Sequence, residues 1–229
     1  MRWRVPRIWD GSDVWLIGGG ATVPYMFGVP EDIIKEVKDR RLPLSSYSPY
    51  MKDLWNKRVI GINMAYKIGD WMDIIFFGDV HFFLPNEEGL RRYPGLVVTC
   101  HSQFAADNQI KYLTTDERVW GISELNDRVC WNWNSGAAAI SVAVHAGAKR
   151  ILLLGFDMKM VNGWTDWHSE YKLNGVEDTL PHIQAVFDRH KESWPVIAED
   201  AKRMGVEILN VTINSEIDVF KKVKLEEVL

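Results

Sequence analysis

Apolar residues along the chain fall in short unbroken runs separated by polar, glycine-containing segments. Residues 14–18 (Val-Trp-Leu-Ile-Gly), 58–63, 72–77, 96–99, 150–156 and 206–210 are such runs. Each is short and continuous rather than alternating, the pattern of a strand covered on both faces. Between the runs the period changes. Residues 30–41 carry Ile33, Ile34 and Val37 at helical spacing, with Pro30 as a first helical residue and Glu31 and Asp32 at the positive helix start. Residues 135–147 form a small-residue helix whose alanines permit close approach to a sheet. Residues 181–203 are helical but interrupted at Pro195, which predicts two helices or one kinked helix. Ser215 is placed to cap a last helix running through Lys222. Strands alternating with helices predict an α/β fold with a mostly parallel sheet and helices on both faces. No internal repeat or Pro/Ser-rich linker interrupts the chain, so one domain is expected over residues 1–229.

Composition removes several classes. The 229 residues are 47% hydrophobic and 25% charged, with 27 basic against 31 acidic residues and a formal charge of −4. That is an ordinary globular balance with no long polar tail. No apolar run approaches the roughly 20 residues of a membrane helix. The start, Met1-Arg-Trp-Arg-Val-Pro, has no apolar segment behind it, so no signal peptide is expected and the location expected is cytoplasmic. Cys100 and Cys130 are too few for a disulfide framework or a zinc site and read as buried thiols. The acidic balance opposes a broad phosphate-backbone surface but leaves room for a local basic groove. One count stands out, 11 tryptophans beside 7 tyrosines and 9 phenylalanines.

In open α/β sheets, ligands bind beyond the carboxyl ends of the strands. The residues there are Gly18, Gly19, Gly20 and Thr22, then Asn63, then Gly78-Asp79-Val80-His81, then Asp157, with Asn134, Ser135 and Gly136 opening the small-residue helix. The triple glycine suits either a phosphate cradle or a plain strand-to-helix turn. Val23 breaks the dinucleotide-binding glycine spacing, and no Lys-Ser/Thr follows as a P-loop requires. Asn134-Ser135-Gly136 offers a helix cap and free N–H groups for an anion or a ribose. Asp79-Val80-His81 resembles an acidic pair for a divalent metal, but its second member is His, so metal ligation is not favoured. The segment Trp164-Thr-Asp-Trp-His-Ser-Glu-Tyr171 combines acid/base side chains with two tryptophans. His168 is the candidate base there, with a solvated surface histidine as the competing reading. His145 falls inside the small-residue helix, and His182 and His190 read as solvent-facing on the late charged helix.

Taken in order, Gly-Gly-Gly-Ala-Thr at 18–22, Val59-Ile-Gly-Ile-Asn63-Met-Ala-Tyr66, Asp73-Ile-Ile-Phe-Phe-Gly-Asp79, Asn134-Ser-Gly-Ala-Ala-Ala and Gly147-Ala-Lys-Arg-Ile-Leu-Leu-Leu-Gly-Phe-Asp157 form a pattern. It resembles the Rossmann-like superfamily of bacterial lipooligosaccharide sialyltransferases and 6-hydroxymethylpterin diphosphokinase MptE-like proteins. Trp167-His168 after the Gly-Phe-Asp-Met strand is similar to uncharacterised bacteriophage members of that group. The resemblance implies nucleotide binding by Gly18, Gly19, Gly20, Thr22, Asn63, Asn134, Ser135, Gly136 and Asp157, with Asp79 also placed at the nucleotide. It further implies a base at His168-Ser169 and a phosphate contact at Tyr171. The turn departs from the family's Gly-Asn-Gly-Pro-Ser, which leaves the donor sugar open.

The activity expected is transfer of a sugar from a nucleotide-activated donor to an acceptor hydroxyl on a glycan or a modified DNA base. His168, Asp157 and Tyr171 would be catalytic. The nucleotide sugar would be a co-substrate, with no tightly bound cofactor, and a homo-oligomer is compatible with the composition. ATP-dependent diphosphate transfer, in which Asp79 and Asp157 would bind Mg²⁺, is one alternative, not favoured for want of a clear acidic cluster, and non-catalytic nucleotide binding is the other. Trp131, Trp133, Trp164 and Trp167 are expected to line or lid one pocket.

Overall fold

The computed structural model describes residues 3–170, 180–212 and 214–229. Ten strands are present among them: β1 (Asp13–Ile17), β2 (Arg58–Ile62), β3 (Ile74–Phe77), β4 (Leu96–Thr99), β5 (Lys111–Tyr112), β6 (Thr114–Thr115), β7 (Arg128–Val129), β8 (Arg150–Leu154), β9 (Glu207–Asn210) and β10 (Lys221–Lys222). Eight of them make one continuous sheet in the order β10-β9-β8-β1-β2-β3-β4-β5, while β6 and β7 pair separately. Every strand pairing is parallel. The helices are α1 (Val23–Met26), α2 (Glu31–Lys38), α3 (Val80–Phe83), α4 (Glu87–Arg91), α5 (Ser135–His145), α6 (Leu180–Lys191) and α7 (Trp194–Arg203). This is an α/β fold of Rossmann-like order.

The alternation of side chains along each strand builds two cores. Val14, Leu16, Ile60, Phe76, Ile151 and Leu153 face one side, where the alanines of α5 and Trp194 and Ile197 of α7 cover them. Trp15, Ile17, Val59, Ile75, Phe77, Leu152 and Leu154 face the other, under Ile34 and Val37 of α2 and Tyr47, Met51 and Leu54 of a 3-10 segment. Both faces being covered explains why the strands read as unbroken apolar runs.

Three boundaries differ from the sequence-based expectation. Pro30 is the cap residue before α2 rather than its first residue, and α2 stops at Lys38, with Arg40 at φ 61° turning the chain away. The expected two helices around Pro195 are α6 and α7, with Pro195 in the first turn of α7. The expected helix over 215–222 is not formed. The Ser215 hydroxyl donates to the Phe156 carbonyl at 2.6 Å and accepts from the Ile217 N–H, and Lys221–Lys222 extends the sheet on the free edge of β9. Tertiary pairing outweighs local helix propensity here.

The chain runs from β1 outward through β2, β3, β4 and β5, then returns to place β8 on the other side of β1. A crevice opens at such a reversal. The two strand ends beside it lie against each other with almost no space between them. Gly155 has φ 76°, and a Cβ there would meet Val23 and lie 3.1 Å from the Gly18 carbonyl oxygen. Gly155→Ala is therefore expected to cost about 2–4 kcal/mol of stability in urea unfolding; a loss below about 0.5 kcal/mol would show that this approach does not constrain the fold.

Candidate functional site

A cavity of about 730 Å³ lies at that reversal. Its floor is backbone: Gly18, Gly19 and Gly20 after β1, and Gly155 to Met158 after β8. A Cβ on Gly18 would sit 2.6 Å from the Gly155 oxygen, and one on Gly20 would meet the Asp157 carboxylate, so packing alone accounts for those two glycines. Gly19 differs. A Cβ there meets no atom within 4 Å, and the residue lines the cavity. Glycine at position 19 thus keeps a stretch of backbone open to the cavity.

Two side chains hold this turn in place. The Thr22 N–H and hydroxyl donate to Asp157 Oδ2 and Oδ1 at 3.0 and 2.5 Å. Burial raises the Asp157 pKa, opposed by the Thr22 hydrogen bonds. From the other side Trp167 donates its backbone N–H to the Gly19 carbonyl (3.1 Å) and its indole N–H to the Gly18 carbonyl (2.9 Å). Asp157 therefore shapes the floor; its two oxygens are engaged in doing so.

The walls come from the neighbouring strand ends. Asn63 follows β2 in the left-handed region (φ 50°), which asparagine tolerates. Asp79 follows β3, and its Oδ1 accepts the His81 N–H at 2.8 Å, capping α3. Asn134 caps α5, its Oδ1 accepting from Gly136 and Ala137 at 2.9 and 3.2 Å, so that the helix opens on the cavity with Asn134, Ser135 and Gly136 in the wall. Lys67, 3.9 Å from Glu170, and Arg189 supply positive charge; Asp79, Asp166 and Glu170 supply negative charge. Helix α6 forms the far wall through Ile183, Val186, Phe187 and His190.

Gly18, Gly19, Gly20, Asn63, Asp79, Asn134, Ser135, Gly136 and Asp157 are thus brought together around one cavity. Thr22 stands behind its floor, and Tyr171 lies outside the described residues. His168 is elsewhere. Its ring is 1% exposed, stacks edge-on against Trp167 at 5.0 Å and does not line the cavity. Its Nδ1 accepts the Glu170 N–H at 3.1 Å. Burial holds the imidazole neutral, with its pKa lowered to about 4, so the surface-histidine reading is wrong and the ring's Nδ1 lone pair is occupied.

The four tryptophans divide. Trp131 and Trp133 line the cavity; Trp167 is fully buried in the core, and Trp164 lies under Lys38 Nζ, 4.0 Å from its ring centroid. The expectation that all four share one pocket is corrected. The indole of Trp167 is committed to the glycine turn, and the 164–170 segment is held by Lys38 at the end of α2 and by Arg40 just beyond it, which donates to the Ser169 carbonyl. His190 is also not solvent-facing: it is half-buried in the cavity wall, with its pKa lowered to about 4 by burial. His182 is exposed at the rim. The sequence signal for this wall is the stripe of Ile183, Val186, Phe187 and His190 at helical spacing, set among charged residues. The thiols of Cys100 and Cys130 are buried and pushed up to about 12, the state of inert core cysteines.

The fold is thus of the α/β, nucleotide-binding-like class, and among the described residues no helix is long and apolar enough to cross a membrane. No family model matches the chain, and no curated protein or solved structure matches it.

His168 takes up a proton near pH 4 when folded and near 6.5 when unfolded, so the unfolded chain is protonated first as pH falls. Stability present above pH 6.5 is lost progressively toward pH 4, and His190 adds to the same slope. His168→Asn keeps an acceptor near the Glu170 N–H but cannot titrate. It should reduce the slope of unfolding free energy between pH 6.5 and 4 by up to about 1.4 kcal/mol per pH unit; an unchanged slope would show that His168 is not held neutral.

Proposed function

We propose that this chain binds a nucleotide-activated sugar in the cavity and transfers the sugar to an acceptor hydroxyl. The observation that carries the reading is the convergence, at the reversal between β1 and β8, of an open glycine backbone, Asn63 and the start of α5 around about 730 Å³. The Gly19 backbone and the start of α5 at Ser135 favour a phosphate group. The volume is that of an ordinary small-molecule site.

In this reading Gly19 and Ser135 flank the phosphates, Asn63 and Asn134 orient the nucleotide, and Lys67 and Arg189 offset its charge. The acceptor hydroxyl has to give up a proton as the glycosidic bond to the nucleotide phosphate breaks. His168 would need to leave its buried position to take that proton. His190 is already in the wall, and among the described residues its ring has no hydrogen-bond partner. It is the better-placed base, and an anionic phosphate nearby would raise its pKa toward the working range. The acceptor, a glycan or a DNA base, would approach past the tryptophans at the mouth.

Diphosphate transfer from ATP needs carboxylates for magnesium. Asp157 is engaged with Thr22, and among the described residues no three His, Cys, Asp or Glu side chains are grouped to hold a metal ion. No specific observation favours that alternative over sugar transfer.

A panel of nucleotide sugars, screened by thermal shift and followed for hydrolysis by mass spectrometry, tests the reading. At least one should raise the melting temperature and be slowly hydrolysed. Gly19→Val, whose Cβ would meet no atom within 4 Å, should fold and lose both effects; His190→Asn should keep binding but lower kcat by about 100-fold or more. Binding without turnover would leave a nucleotide-binding protein, and no binding by any donor would overturn the reading.

A further inference from the structure

Trp133 is out of place in both packing and backbone. Its indole is 49% exposed, and its φ is 48°, a region that bulky L-residues avoid. The residue before it, Asn132, is also left-handed at φ 55°. What enforces this turn is the buried Asn132 side chain. Its Nδ2 donates to the Gly121 and Cys130 carbonyls at 2.9 and 3.0 Å, and its Oδ1 accepts the Gly121 N–H at 2.8 Å. The fold thus spends three buried hydrogen bonds on a strained turn that holds a large apolar ring at a cavity mouth. Backbone strain of this kind collects at ligand sites.

Among the described residues the only ring or cation contact of this indole is with Arg189 of α6, whose guanidinium carbon lies 5.9 Å from the ring centroid. That is the outer limit of a cation–π contact, so the exposed guanidinium lies loosely over the ring and moves outward when a base enters. Both residues line the cavity, Trp133 one residue before the cap of α5 and Arg189 on the opposing helix.

We propose that Trp133 and Arg189 clamp the nucleobase of the bound nucleotide. The inference rests on the nucleotide reading above and adds which part of the ligand is gripped at the mouth. An indole and a guanidinium both present flat faces, and a heteroaromatic base stacks on either. A sugar ring can lie on the indole but has no flat face for the guanidinium. Stacking accepts any base, so Trp133 supplies affinity and other wall residues choose among bases.

Isothermal titration of the wild type, Trp133→Gly, Trp133→Phe and Arg189→Ala with CMP, UMP, AMP, GMP and ribose 5-phosphate tests this. Trp133→Gly should weaken every nucleoside monophosphate by about tenfold to a hundredfold. Trp133→Phe should stay within about threefold of wild type, and the exposed Arg189→Ala should lose at least threefold. Ribose 5-phosphate, which has no ring to stack, should treat wild type and Trp133→Gly alike. Glycine is at ease in the left-handed region, so the melting temperature of Trp133→Gly should be equal to wild type or higher. If the wild type binds nucleotides and Trp133→Gly binds them equally, the clamp is overturned and the nucleotide site stands. If the wild type binds none of the monophosphates, both fall together. A melting temperature several degrees lower, with ribose 5-phosphate binding lost as well, would make Trp133 a structural residue and overturn the clamp.

Discussion

The close approach of two strand ends governs this molecule. Where β1 stops and β8 stops, the chain must bring Gly18 and Gly20 against Gly155 and Asp157 with no side chain between them. The Thr22–Asp157 hydrogen bonds close that contact from one side, and the two Trp167 donors close it from the other. Because these strands belong to opposite halves of the sheet, the same contact forms the floor of the crevice. A floor made of backbone is a consequence of tight packing, and the Gly18 and Gly20 N–H groups are engaged within it by the Leu154 and Gly155 carbonyls. Gly19, the one member of the turn with open space around it, is where structural necessity stops and access to a ligand begins.

Aromatic content separates along the same line. Trp167 lies on the core side of the floor and serves it through hydrogen bonds, while Trp15 and Trp194 fill the two faces of the sheet. Trp131 packs on Gly78 at the end of β3, where any Cβ would meet the indole. Trp133 alone of these is turned outward on a strained backbone. Helix α6 stands opposite, with no buried residue of its own and an apolar stripe facing the cavity. The cavity is thus bounded by a strand-end floor and by the apolar stripe of α6.

Strand positions were legible because burial on both faces leaves an unbroken apolar run, and the residues just past each run were legible because the fold places strand ends together. Gly18 to Gly20, Asn63 and Asp157 converge for that reason, and Asn134 joins them as the cap of α5. What could not be read was direction. His168 and Trp167 lie in a segment rich in acid/base groups, yet the hydrogen bonds from Trp167 to the glycine turn pull that segment inward and bury the imidazole. A local sequence does not encode which of its side chains a distant carbonyl will claim. The late helix failed in the opposite sense: charges on its outer face masked His190 and its apolar neighbours on the inner one. Ser215 capped no helix because its hydroxyl found the Phe156 carbonyl and the chain beyond it found the free edge of β9. Both are long-range partners.

The central claim is that the backbone floor receives the phosphate of a nucleotide. A crystal structure of the chain with the nucleoside monophosphate that binds most tightly tests it directly. The account predicts phosphate oxygens within hydrogen-bond distance of the Gly19 or Ser135 backbone N–H, since those of Gly18, Gly20, Thr22, Gly136 and Ala137 donate within the protein. A nucleotide bound outside the cavity, or one whose phosphate points to solvent with that floor untouched, would contradict it.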